Sequence, residues 1–319
     1  MWGFAVAVSG AAVAATLSVL MLSPGRAVRA GRSSSPSRPA PVTPSTPKSA
    51  GRDGRIVFAS LRGGRFHIHV INPDGTGESV LTWGPDEDKS PAWSRDREWI
   101  AFARTVKAPG TDGTRTDIYV MKADGGGLTR LTGGTDDAVD PAWSPDGRRI
   151  VFTAAAPSTR RSRIRIANVD RTKAVTLPQP PPGCSDREPA WSPDGLRIAF
   201  ARKCGDQASS LFLMSANGAR PELLTTFGRT PDWSPDGSKI AYTGLGEMGP
   251  AIFVMNTDGT GKLQLTRDSS GDPVWSPDGA RIVFTLGALS SLKLYVINLD
   301  GTGIRRLTEE PWNEVMASW

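Results

Sequence analysis

The phrase Trp-Ser-Pro-Asp-Gly constrains this chain more than any other feature. Intact copies begin at Trp143, Trp191, Trp233 and Trp275, and a degraded copy, Trp-Ser-Arg-Asp-Arg, begins at Trp93. Trp319 stands where a sixth copy would start. The Trp-to-Trp steps are 50, 48, 42, 42 and 44 residues. A period in the forties belongs to propeller architectures, in which each repeat folds as one antiparallel sheet of four strands.

One copy, Asp272 to Thr308, shows how. Pro273-Val274-Trp275 ends a short apolar stretch, and Ser-Pro-Asp-Gly follows as a turn. Proline presets φ, aspartate bonds the backbone ahead of it, and glycine takes positive φ without a clash. Arg281 to Thr285 alternates as a strand should, Leu292 to Asn298 makes the next, and Asp300-Gly301 turns the chain into a short last strand. Such a sheet has two apolar faces and cannot bury both alone, so copies must stack. A tryptophan in every copy, Trp93, Trp143, Trp191, Trp233, Trp275 and Trp319, fits a wedge between neighbouring sheets better than a ligand platform.

The two ends complement each other. Asp53-Gly54-Arg55-Ile56-Val57-Phe58 matches the second half of the phrase, and Met316-Ala317-Ser318-Trp319 matches the first half. The expected fold is therefore all-β, a six-bladed β-propeller over residues 51–319, closed by a clasp of the C-terminal strand with N-terminal strands. The turn at Arg95 and Arg97 is expected to be looser than the others.

The run Pro-x-Trp-Ser-Pro-Asp-Gly, Ile-x-Phe, Ile-Tyr-Val-Met, Asp-Gly-Gly and Leu-Thr resembles the WD40-like repeat of TolB-type propellers, with a related version in prolyl-oligopeptidase propellers. The resemblance covers nearly all of residues 51–319. It implies an extracytoplasmic, cell-envelope scaffold that recognises a protein or peptide. Where TolB proteins carry a smaller N-terminal domain, residues 1–50 here hold an apolar segment and a linker.

Residues 1–30 read as a signal peptide or a retained membrane anchor, and both readings stand. Trp2 to Leu22 is long enough to span, while Val28-Arg29-Ala30 offers small residues for cleavage before Gly31. Residues 31–50 are rich in Ser, Pro and Arg and read as a disordered linker. The formal charge is +6, but Arg26, Arg29, Arg32, Arg38 and Lys48 precede residue 51 with no acid among them. The propeller is thus nearly neutral, and nothing suggests nucleic acid. Membrane contact is expected only through the N-terminal segment, and the propeller is expected to be monomeric.

The only two cysteines, Cys184 and Cys204, lie ten residues either side of Asp194, the tip of a turn. Positions equidistant from a hairpin turn face each other, so a disulfide is expected and with it an oxidising compartment. His67 and His69 alternate on one strand and suggest a metal pair. His69, however, falls in the slot that other copies fill with Tyr119, Phe253 and Tyr295, an ordinary packing position. No metal and no cofactor are expected.

Function is expected on the rim that carries the variable loops, Arg104 to Thr116, Ala156 to Ser162, Lys203 to Gln207 and Gly244 to Pro250. Just before the inner strand, Asp140, Glu188 and Asp272 hold equivalent positions, which ring symmetry would gather at one mouth of the central channel. Arg187, Arg229 and Asp268 lie close by in sequence. These six are the candidate binding residues. They suit a cation or a basic or polar peptide, and equally they suit acids that cap strand starts. No Gly-x-Ser-x-Gly elbow and no phosphate-cradling loop occurs, and no catalytic residue is assigned. A ligand sensor or an enzyme acting on a carbohydrate, lactone or peptide at the channel mouth remains the alternative.

Overall fold

The computed structural model describes residues 54–108, 113–159, 161–172, 175–267, 269–288, 291–309 and 312–319. The apolar segment and linker lie outside the described residues. Among those described, the secondary structure is strand and turn, with no helix long and apolar enough to cross a membrane.

Six four-stranded antiparallel sheets form the blades of a propeller. The inner strands of blades 2 to 6 are Glu87–Trp93, Asp137–Trp143, Cys184–Trp191, Arg229–Trp233 and Ser270–Trp275. Blade 1 takes its inner strand, Asn313–Ser318, from the far end of the chain. Its other strands are Ile56–Arg62, Arg65–Ile71 and Ser79–Val80. Val57 pairs with Ser318 and Leu61 with Asn313.

The alternation in the second strand of each blade explains the stacking. In Ile56-Val57-Phe58, Ile56 and Phe58 face blade 6 while Val57 faces blade 2. Ile100 and Phe102 likewise face back toward blade 1, and Ala101 faces forward to blade 3. A period of two thus supplies one apolar face to each neighbour. The core is not a single mass but six apolar clusters, one in each seam between adjacent blades.

Each repeat tryptophan sits in such a seam. The indole N–H of Trp143 donates to Ala92 O of the preceding blade at 3.1 Å, that of Trp233 to Ala190 O at 3.2 Å, and that of Trp93 to Arg55 O at 3.1 Å. Trp319 instead donates to Gly54 O, beside the second strand of its own blade. Arginines that open the second strand of the preceding blade lie over the rings: Arg149 over Trp191, Arg197 over Trp233 and Arg281 over Trp319, all within 5.0 Å of the ring centre. Such stacking adds about 1 kcal/mol per pair to the area buried.

The degraded turn is not looser. Ser94 Oγ reaches Asp96 at 2.6 Å, and Trp99 N donates to Ser94 Oγ at 2.9 Å, matching the intact Ser144 turn. Arg97 adopts φ 63° in place of glycine. Its guanidinium covers Trp93 at 5.3 Å and donates to Arg55 O, and these contacts offset the strain. Arg95 extends from blade 2 to Pro193 O of blade 4 at 2.9 Å.

Part of the segments expected as variable loops is paired strand. Strands Trp99–Lys107 and Thr114–Lys122 take up most of Arg104 to Thr116, and Lys239–Gly246 and Gly249–Asn256 leave a tip of Glu247-Met248. Continued pairing satisfies the backbone groups of these segments as they leave the core.

A buried ionic group fastens the shared blade. Glu314, on its inner strand, lies 3.6 Å from Lys293 Nζ of blade 6 and accepts from Thr308 Oγ1 at 3.2 Å. Both charged side chains are almost fully buried. Glu314→Ala breaks this buried ion pair and is expected to lower stability by about 3 kcal/mol. Urea unfolding measures it, and an unchanged midpoint contradicts it.

Candidate functional site

In every inner strand, one residue three positions before the tryptophan has positive φ: Ser90 at 50°, Asp140 at 52°, Glu188 at 54°, Thr230 at 48°, Asp272 at 53° and Met316 at 55°. The register between inner and second strands slips at each of these points, so each is a β-bulge. Five of the six precede a proline, which disfavours the right-handed helical region for them. A non-glycine residue in this conformation is strained by about 1 kcal/mol or more. Six strained residues at one level of a channel mark a built ring.

Asp140, Glu188 and Asp272 therefore lie within the inner strands, not ahead of them. The structure brings them together. Asp140 in blade 3 and Asp272 in blade 6 are on opposite sides of the ring, yet Asp140 feels the Asp272 charge, and Glu188 feels both. Their carboxyls keep some contact with channel space but are ringed by protein. Arg229 beside Asp272 and Arg187 near Asp140 oppose the crowding of negative charge. Arg187 also donates to Ser162 Oγ at 2.8 Å. Asp268 lies outside the described residues.

Hydrogen bonds lace the ring from blade to blade. Ser90 Oγ and Thr153 Oγ1 each donate to Asp140 at 3.2 Å, and Glu188 N donates to Thr153 Oγ1 at 3.0 Å. Thr230 N donates to Glu188 Oε2 at 2.7 Å, and Asp272 N to Thr243 Oγ1 at 3.1 Å. Thr230 and Thr243 share a hydroxyl contact of 2.7 Å. Ser90, Thr230, Met316 and the threonines of the second strands were not singled out from sequence. Ser90 and Thr230 carry the same following proline as the acids. The threonines, each directly after the aromatic of Ile-x-Phe or Ile-x-Tyr, look like ordinary strand residues.

Burial pushes the Glu188 carboxyl up to about 7, helped by the Asp140 charge, and burial raises Asp140 and Asp272 as well. Asp232, on the blade 5 inner strand, is also pushed up to about 7 by burial. It accepts Trp275 N of the next blade at 2.8 Å, and its role is to join blades. Among the described residues, no group of three or more His, Cys, Asp or Glu is placed to hold a metal ion. His69 is buried, its ring 5.6 Å from Phe58 and its Nδ1 2.9 Å from Glu78.

At the loop rim of blade 4, Cys184 and Cys204 face each other in register and form a disulfide. It joins the start of the inner strand to the end of the second, next to the bidentate pair of Arg202 and Asp186 at 2.6 and 2.8 Å. An equivalent pair, Arg104 and Asp88, holds blade 2 at the same rim.

A family model described as the TolB beta propeller domain matches residues 44–229 and 225–319. The chain belongs to this family. The Tol-Pal system protein TolB of Zymomonas mobilis is 46% identical over 48 residues, which is 15% of this chain and 10% of that protein. The chain thus matches only a tenth of that relative's length. TolB from Acinetobacter baumannii is 21% identical, with a TM-score of 0.68 over 83% of this chain and 66% of that one. The structure of a candidate TolB from Agrobacterium tumefaciens gives 20% identity and a TM-score of 0.62 over 80% of this chain and 88% of that one. At these identities the likeness to the two structures is one of fold.

Two consequences for this TolB-family propeller are measurable. Glu188 titrates near 7 in the folded chain against 4.5 when free, and Asp232 near 7 against 3.8. The folded state then holds more protons between these values, so stability falls as pH rises from about 4 to about 7 and levels off above. Glu188→Gln and Asp232→Asn are expected to flatten that slope by up to about 3 kcal/mol each, read from urea midpoints across pH. A slope unchanged in both variants contradicts the shifts. Separately, replacing both cysteines by alanine is expected to cost about 3 kcal/mol, the chain-entropy value for a loop of this size.

Proposed function

We propose that this chain is a non-catalytic, extracytoplasmic propeller that binds a protein or peptide partner of the cell envelope through its loop rim and channel. The observation that carries the reading is the ring of strained inner-strand residues with three carboxylates turned inward. Strain of this kind persists where the surrounding structure holds it for a purpose, and it is concentrated on the channel lining. Family membership and the name of the Tol-Pal relative support an envelope role. The disulfide supports an oxidising location, with residues 1–30 acting as export signal or anchor. The propeller is proposed to act as a monomer, and Asp140, Glu188, Asp272, Arg187, Arg229 and Asp268 as its channel contacts.

One observation favours a second reading. A carboxyl near 7, such as that of Glu188, suits proton transfer or a titrating ligand site. A small-molecule or metal screen by thermal shift separates the two, since stabilisation that depends on Glu188 favours the ligand site.

The main reading is tested by exchanging Asp140, Glu188 and Asp272 together for Asn, Gln and Asn, which keeps shape and removes charge. A photo-crosslinker at Ser90 is expected to join the parent chain to one envelope protein in cells. The triple variant is expected to lose at least about tenfold of that product, the scale of one well-placed interface charge. Undiminished crosslinking in the triple variant, or none in the parent, refutes the proposal.

A further inference from the structure

The loop rim is not uniform, and its two halves differ in a way the repeat does not require. Exposed large apolar residues on this rim, among those described, are confined to one arc. Phe227 stands on the connection from blade 4 to blade 5 and is 48% exposed, Leu245 and Met248 stand on the blade 5 hairpin at 60% and 73%, Trp312 stands on the connection from blade 6 to blade 1 at 38%, and Trp83 on that from blade 1 to blade 2 at 77%. The hairpins of blades 2, 3 and 4 show none among the described residues. Exposed apolar residues on the outermost strands, such as Leu128, Leu223 and Leu263, recur from blade to blade and face the side wall instead. A tryptophan three-quarters exposed has no packing role to explain it, and tryptophan is the residue most enriched where binding energy concentrates.

The opposite arc is cationic. Lys107 on the blade 2 hairpin, Arg161 on that of blade 3 and Lys203 on blade 4 are exposed and make no ion pair among the described residues. Arg187 is exposed beside them, its Nε held by Ser162. Four described acids of this arc are held in ion pairs: Asp88 by Arg104, Asp117 by Arg115 and Arg130, Asp136 by Arg163 and Asp186 by Arg202. Asp206 is the one exposed unpaired acid of the blade 4 hairpin.

Building on the rim-binding reading above, we propose that the partner is an acidic protein segment with an apolar ridge. Its ridge lies on the arc running from blade 5 through blades 6 and 1, anchored at Met248 and Trp83, and its carboxylates face Lys107, Arg161 and Lys203 on blades 2 to 4. A lipid surface fits less well, because insertion would need apolar residues around the whole rim and not along half of it. Complementary charge sets orientation and speeds encounter, while the buried aromatic anchors hold the complex.

Two synthetic peptides test this against the full chain by isothermal titration. One alternates Glu with Leu and Phe; the other has Lys in place of each Glu. The acidic peptide is expected to bind at least about tenfold more tightly, with a preference that fades as salt is raised. Lys107→Glu with Lys203→Glu is expected to remove the preference, and Trp83→Ser with Met248→Ser to weaken the acidic peptide by about thirtyfold, the loss of a binding hot spot. All are surface changes, and unchanged melting confirms intact chains. Equal affinity for both peptides, or indifference to both double variants, overturns the proposal. So does a loss confined to binding of phosphatidylglycerol vesicles, which would assign the arcs to a membrane. Should the envelope crosslink survive both arc variants yet fail in the channel triple variant, the arc proposal falls while the rim-binding reading stands. Should it survive all three, both fall.

Discussion

The seam between blades is the interaction on which the whole molecule depends. Each seam holds a tryptophan whose ring fills the gap, and in three of the six its N–H ties to the backbone of the blade before it. Arginines stacked on the outer faces complete three of these joints and, in the Arg97 turn, a fourth. No blade has a core of its own. Because each apolar face is buried only by a neighbour, stability is a property of the closed ring and not of any one repeat.

The seams leave the channel as the place where polar groups can be held at an angle. A bulge in each inner strand turns one side chain inward, and threonines on the second strands bridge from one bulge to the next. The ring of bulges is thus both an architectural belt and a lining. Its carboxylates are costly to ionise chiefly because they are buried, and at Asp140 and Glu188 the neighbouring carboxylates add to that cost. Asp232 shares the upward shift, yet it is spent on a neighbouring backbone N–H, so the shift alone does not separate a lining group from a joint.

Much of this was legible in the residues. The forty-odd period and the alternation of Ile-x-Phe led to blades, and equal spacing about Asp194 led to the facing of Cys184 and Cys204. Asp140, Glu188 and Asp272 could be aligned by repeat, since each sits before the same proline. What stayed hidden depends on backbone conformation. The positive φ that places these acids inside the inner strand has no residue signature, because Ser, Asp, Glu, Thr and Met all occupy it. The persistence of the Arg97 turn was hidden as well, since the contacts to Trp93 and Arg55 come from a different part of the blade. The two arcs of the loop rim were invisible for another reason: they are sums over residues far apart in sequence.

Blade 1 joins strands separated by most of the chain, with Ser60 and Glu314 lying 254 positions apart. Every other sheet pairs near neighbours and can form early and locally. The shared sheet requires its two halves to meet across the five intervening blades, a loop-closure cost that no other sheet bears, and until they meet the strand at Ile56 keeps an open edge. Assembly of this fold therefore resembles a bracelet fastened last, and the interval before fastening is when the chain is most exposed to pairing with another copy of itself.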